Sequence, residues 1–85
     1  SVNDAFVMGA WGRDQKTAGK VRMMADGSAE FTTACGMALD RTAGGMGVRS
    51  DRYAMVVEDG VVKGVYREEP GKFEVSGAEA VLKTL

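Results

Sequence analysis

Tyr53-Ala54-Met55-Val56-Val57-Glu58-Asp59-Gly60-Val61-Val62-Lys63-Gly64-Val65-Tyr66 is the stretch that decides the fold. Two β-rich runs, Tyr53–Val57 and Val61–Tyr66, flank Glu58-Asp59-Gly60, and an Asp-Gly pair between such runs is a hairpin signature because it tolerates the positive φ of a tight turn. Toward the C-terminus, Pro70 and Gly71 break the chain before Phe73-Glu74-Val75. Ser76, with Glu79 three residues on, then predicts a capping box for a helix over Ala78–Leu85. Toward the N-terminus, Asp40–Ser50 holds Gly44, Gly45 and Gly47 and reads as a loop. Before it, Phe31, Ala34, Cys35 and Leu39 recur at helical spacing behind Ser28 as cap and Glu30 in the first turn, which predicts a helix over Ala29–Ala38 with its apolar side toward a core. Val21–Ala25 predicts a strand that stops at Asp26-Gly27. Asp4 or Asn3 caps a first helix over Ala5–Lys16, in which Phe6, Val7, Ala10 and Trp11 share one side. The order is helix, strand, helix, β-hairpin, helix, an α/β layout in which an antiparallel pair extends a helix-covered sheet.

Composition narrows what such a chain does. Its 85 residues form one domain at most, and 45% hydrophobic with 27% charged residues is globular composition rather than the signature of disorder. Eleven basic and twelve acidic residues are mixed along the chain for a net charge of -1, which leaves no footprint for nucleic acid or an anionic membrane. Cys35 is the single cysteine and there is no histidine, so neither an internal disulfide nor a zinc, haem or iron–sulfur ligand set is expected, and no cofactor. No run approaches the roughly 18 apolar residues of a membrane span. A reducing, cytoplasmic location is expected. The chain starts at Ser1 without an initiator methionine, in what reads as the end of a strand, so further upstream sequence is expected, with processing as the alternative.

Four blocks carry a resemblance: Ser1-Val2-Asn3-Asp4-Ala5-Phe6-Val7-Met8 with Trp11-Gly12; Val21-Arg22-Met23-Met24-Ala25-Asp26-Gly27-Ser28; Gly47-Val48-Arg49-Ser50-Asp51-Arg52-Tyr53-Ala54-Met55-Val56-Val57-Glu58-Asp59-Gly60; and Phe73-Glu74-Val75-Ser76. In order and with compatible gaps, they resemble the type II peroxiredoxins, the atypical 2-Cys or glutaredoxin-dependent subfamily, across essentially the whole chain. The resemblance implies that residues 1–85 are the C-terminal portion of a thioredoxin-like fold. It also implies reduction of hydrogen peroxide and alkyl hydroperoxides by a cysteine thiolate, regenerated by thioredoxin or glutaredoxin. The family's Pro-x-x-x-Thr-x-x-Cys motif, which carries that thiolate, is absent: Glu74 and Gly77 follow Pro70 at the Thr and Cys spacings. A resolving cysteine placed in the last block of some members is replaced here by Val75. The chain alone is therefore expected to be inactive. The alternative is a non-catalytic, thioredoxin-like module that binds a partner or oligomerises.

One catalytic position carries over. The arginine that begins the Arg-Tyr-Ala-Met-Val-Val strand is Arg52, and the resemblance implies that it stabilises the thiolate and the peroxide oxygens. Read without the resemblance, Arg52 caps a strand edge or pairs with Asp51 or Glu58. Arg49 has no such match and reads as a loop charge or a support. Cys35, among Phe31, Ala34 and Leu39, reads as a buried, inert small hydrophobe, with a reactive thiol as the alternative. Gly44-Gly45-Met46-Gly47 precedes a strand and lacks a following Lys-Ser/Thr, which argues against nucleotide binding. Met23, Met24 and Met55 read as core filling. A sheet of Met23–Ala25 beside Tyr53–Val57 without its family neighbours would leave an open edge, so a homo-oligomer is expected.

Overall fold

The computed structural model describes residues Ser1–Leu85 as two compact units, Ser1–Ser50 and Asp51–Leu85. In the first, α1 spans Ala5–Asp14. Its start is set by Asp4, whose Oδ1 accepts the Val7 N–H at 2.8 Å, and such a cap is worth about 1 kcal/mol. It ends two residues before the predicted Lys16. Lys16 takes a positive φ of 54°, while the Lys16 and Thr17 N–H groups close back onto the Arg13 and Gly12 carbonyls at 3.2 and 3.1 Å. α2 is only Glu30–Ala34, and the same device stops it. Gly36 sits at φ 72°, its N–H donates to the Thr33 carbonyl, and the Met37 N–H reaches the Thr32 carbonyl. The helix expected to run through Ala38 therefore reverses at Gly36. Its N-terminus is held by Asp26 rather than Ser28. The Asp26 carboxylate accepts from Phe31 N–H at 3.2 Å, Thr32 N–H at 2.8 Å and the Thr32 hydroxyl at 2.7 Å.

Two further expectations for this unit are corrected. Val21–Ala25 forms no strand, since composition supplies propensity but a strand needs a ladder. Its surroundings are tied to the chain start by only two bonds, Ser1 ammonium to the Met24 carbonyl at 3.1 Å and Asp26 N–H to the Ser1 carbonyl at 2.8 Å. The expected sheet of Met23–Ala25 with Tyr53–Val57 is accordingly not formed. The expected loop from Asp40 to Ser50 is instead largely a hairpin. β1 (Ala38–Arg41) pairs antiparallel with β2 (Gly47–Ser50), and a 3₁₀ turn at Thr42–Gly44 lies between them. Of the glycines predicted as loop, Gly44 and Gly45 lie in its connection and Gly47 opens β2, with Gly45 and Gly47 at positive φ.

In the second unit the predicted hairpin is present. β3 (Tyr53–Glu58) pairs with β4 (Val61–Arg67), and Asp59 and Gly60 both take positive φ, as a two-residue type I′ connection requires. The register slips between Val56 and Val57, so that Val57 faces Val62 and Val56 faces Gly64. α3 is Ala78–Leu82, shorter than expected. Gly77 stands at its N-cap with no side-chain bond, because Ser76 is engaged elsewhere.

The buried apolar side chains Val2, Met8, Ala29 and Met37 all belong to the first unit. Met24 and Met55, read as core filling, are exposed, as are Phe6, Trp11 and Phe31. Thr32 is the buried side chain of α2.

Candidate functional site

Strand register builds the site. Tyr53, the first residue of β3, faces Arg67, the last residue of β4, and one step further the Glu68 N–H donates to the Arg52 carbonyl at 2.9 Å. Residues sixteen apart in sequence thus become neighbours. Asp51, 8% exposed, accepts from the Arg67 Nε–H at 2.8 Å and also pairs with its Nη2.

Arg52 has other partners. Its Nε–H donates to Ser76 Oγ at 3.0 Å, and its guanidinium carbon lies 4.1 Å from the Phe73 ring centroid, within cation–π range. Ser76 Oγ in turn donates to Glu68 Oε2 at 2.8 Å. That oxygen also accepts the backbone N–H groups of Glu74, Val75 and Ser76 at 2.7, 2.9 and 2.9 Å. Burial of the carboxylate, which is 6% exposed, pushes its pKa up. The Ser76 N–H and hydroxyl, with the Val75 and Glu74 N–H groups, outweigh that and bring it from 4.5 down to about 2. Gly77 is part of the assembly, since a Cβ there would meet the Phe73 ring at 2.8 Å. The outcome is a guanidinium anchored through Nε and seated on an aromatic face. Anchored in this way, an arginine can still offer its two terminal amino groups to an anionic or oxygen-rich partner.

Arg49 and Cys35 have surroundings of their own. In the first unit, Arg49 Nε–H donates to the Met46 carbonyl at 2.8 Å, and its Nη1 reaches the Val2 carbonyl at 2.7 Å and Asn3 Oδ1 at 3.4 Å. Arg49 therefore acts as a brace for the chain start. Cys35 is the C-cap residue of α2 and is half-buried rather than fully buried. No three His, Cys, Asp or Glu side chains come together as a metal-ligand set, and no helix is long and apolar enough to cross a membrane. Sequence reasoning missed Glu68, Phe73 and Ser76 as partners of Arg52; the two-residue turn alone would set Arg52 opposite Arg67, and the register slip between Val56 and Val57 brings Glu68 there instead.

The family model described as Redoxin matches residues 1–82. Peroxiredoxin-2E, chloroplastic, of Arabidopsis thaliana is 49% identical over 87 residues, covering all of this chain and 37% of its own length. Among solved structures, reduced Prx3 from Vibrio vulnificus in complex with H2O2 superposes with a TM-score of 0.88 at 54% identity, over 99% of this chain and 54% of that one. A Burkholderia cenocepacia protein described as a thioredoxin reductase gives a TM-score of 0.93 at 70% identity, over 99% of this chain and 50% of its own. The chain belongs to the redoxin family, on its type II peroxiredoxin branch, and its fold is the mixed α/β, thioredoxin-like one of those structures. It spans about half the length, or less, of these relatives.

Proposed function

We propose that these residues serve a thiol-dependent peroxidase that reduces hydrogen peroxide and alkyl hydroperoxides, with Arg52 stabilising the attacking thiolate and the peroxide oxygens. The observation that carries the reading is the Arg52 guanidinium, held between the Phe73 ring and the Ser76 hydroxyl in a redoxin chain. A relative 54% identical to this chain has been crystallised with H2O2 itself.

In the proposed reaction a thiolate, supplied by a Pro-x-x-x-Thr-x-x-Cys segment outside these residues, attacks one peroxide oxygen. An S–O bond forms as the O–O bond breaks, and the departing oxygen takes a proton and leaves as water or alcohol. The sulfur is left as a sulfenic acid. Thioredoxin or glutaredoxin returns it to the thiol with two thiols of its own, which end as a disulfide while water is released. A fixed guanidinium favours the charged thiolate before the attack and the charge growing on the departing oxygen during it. Cys35, half-buried at the end of α2, takes no part, so the 85 residues alone are inactive. The reading also includes homo-oligomerisation and a reducing compartment. The cytoplasm is the proposed site, with the plastid of the Arabidopsis relative as the alternative.

The test is hydroperoxide consumption by the complete product of the reading frame and by the 85-residue chain, each with a dithiol. The complete product should consume peroxide, the short chain should not, and Arg52→Lys should lower kcat/KM by about 10²-fold, the loss typical of a displaced charge-stabilising donor. Activity of the short chain that disappears in Cys35→Ser, or a fully active Arg52→Lys, overturns the reading.

A further inference from the structure

We propose that Glu68 is the positioning residue for Arg52, holding the Ser76 hydroxyl in the one orientation that accepts the Arg52 Nε–H and thereby fixing the guanidinium on the Phe73 ring. This deepens the assignment of Arg52 above and rests on it.

The direction of the relay is forced by chemistry. A guanidinium only donates, an ionised carboxylate only accepts, and a hydroxyl has one proton. With Ser76 Oγ 3.0 Å from Arg52 Nε and 2.8 Å from Glu68 Oε2, the hydroxyl proton must point to Glu68 and a lone pair to Arg52. Glu68 also sets where Ser76 stands. Three consecutive N–H groups, from Glu74, Val75 and Ser76, converge on the same carboxylate oxygen. Its own N–H on the Arg52 carbonyl fixes the two main chains against each other. An exposed arginine has many rotamers, and a reacting guanidinium must be placed before the peroxide arrives. Glu68 reaches Arg52 through a hydroxyl rather than by a direct ion pair, so it orients the cation without bonding to it directly.

Ser76→Ala isolates the proposal because it deletes the relay hydroxyl while leaving all three backbone N–H groups for Glu68. In the 85-residue chain, ¹⁵N spectra should show the Arg52 Nε–H exchanging about tenfold faster in Ser76→Ala, with the Glu74, Val75 and Ser76 amide signals in place. Ser76→Thr, which keeps a hydroxyl, should restore the slow exchange. In the complete reading-frame product, Ser76→Ala should lower kcat/KM for hydrogen peroxide by about tenfold, and Glu68→Gln should do the same, with Ser76→Thr recovering most of the loss. Unchanged Arg52 Nε–H exchange in Ser76→Ala, or a loss of activity that Ser76→Thr does not recover, overturns the positioning role. A fully active Arg52→Lys instead removes the assignment beneath it, whatever Ser76 does. Should Glu68→Gln fail to fold, the Ser76 pair still decides.

Discussion

Glu68 is a nearly buried carboxylate that remains charged far below the usual carboxylate range. Burial works against the charge, and the Ser76 N–H and hydroxyl with the Val75 and Glu74 N–H groups overcome it, so that the group falls to about 2 from 4.5. Because the folded value lies below the unfolded one, the folded state binds fewer protons between them. The stabilisation is complete above about 4.5 and is lost as pH falls toward about 2. Asp26, lowered by the Thr32 hydroxyl and N–H against its burial, shifts in the same direction. Urea unfolding at a series of acid pH values, followed on the amide signals of residues 51–85, should show stability falling through that window, and Glu68→Gln should flatten the slope. An identical slope in Glu68→Gln would show that the four bonds do not depend on the charge. Sequence reading could not supply this cluster. Arg52 was legible through the family pattern, but Ser76 reads equally well as a helix cap for Glu79, and only the structure turns its hydroxyl toward Glu68 instead.

Among the elements, the two hairpins differ in how visibly they are written. β3 and β4 carry Val, Tyr and Met on either side of Asp59-Gly60, and both central φ values are positive as that dipeptide invites. β1 and β2 offer only Leu39 and Val48 as large apolar residues, and in the register these face Arg49 and Asp40 rather than each other. With no alternation to read, Gly44 and Gly45 in the connection and Gly47 at the start of β2 dominate and suggest a loop. The early end of α2 was legible in principle. Gly36 is its stop signal, although Leu39 continues the helical spacing beyond it. Gly36 at φ 72° has nothing within 4 Å of where a Cβ would stand, so Gly36→Ala adds only backbone strain, about 1–2 kcal/mol for a residue in the left-handed region. Denaturation of Gly36→Ala should therefore show a loss of that size, with the hydrogen bonds of α2 retained. No measurable loss would mean that the reversal at Gly36 is not rigidly held.

Across the whole chain, apolar burial is unevenly distributed. Every buried apolar side chain lies in residues 1–50, whereas the buried residues of the second unit are the two carboxylates Asp51 and Glu68, each held by hydrogen bonds. Hydrogen bonds specify geometry but supply little net stability, and a small domain already buries only about 60% of its unfolded surface. Phe6 at 87%, Phe31 at 65% and Leu85 at 76% exposure leave apolar area in water that a stable fold would cover. On the β3–β4 hairpin, Val57 and Val62 face each other across the strands and both are exposed. The isolated chain is therefore expected to self-associate at micromolar concentration, sedimenting as a species heavier than its 9.0 kDa monomer. Replacing the facing pair by Val57→Lys with Val62→Glu keeps a favourable cross-strand contact while removing apolar surface, and should shift the population toward monomer. A wild-type chain that sediments as one 9.0 kDa species and unfolds cooperatively would show that hydrogen-bonded carboxylates can organise residues 51–85 without an apolar core.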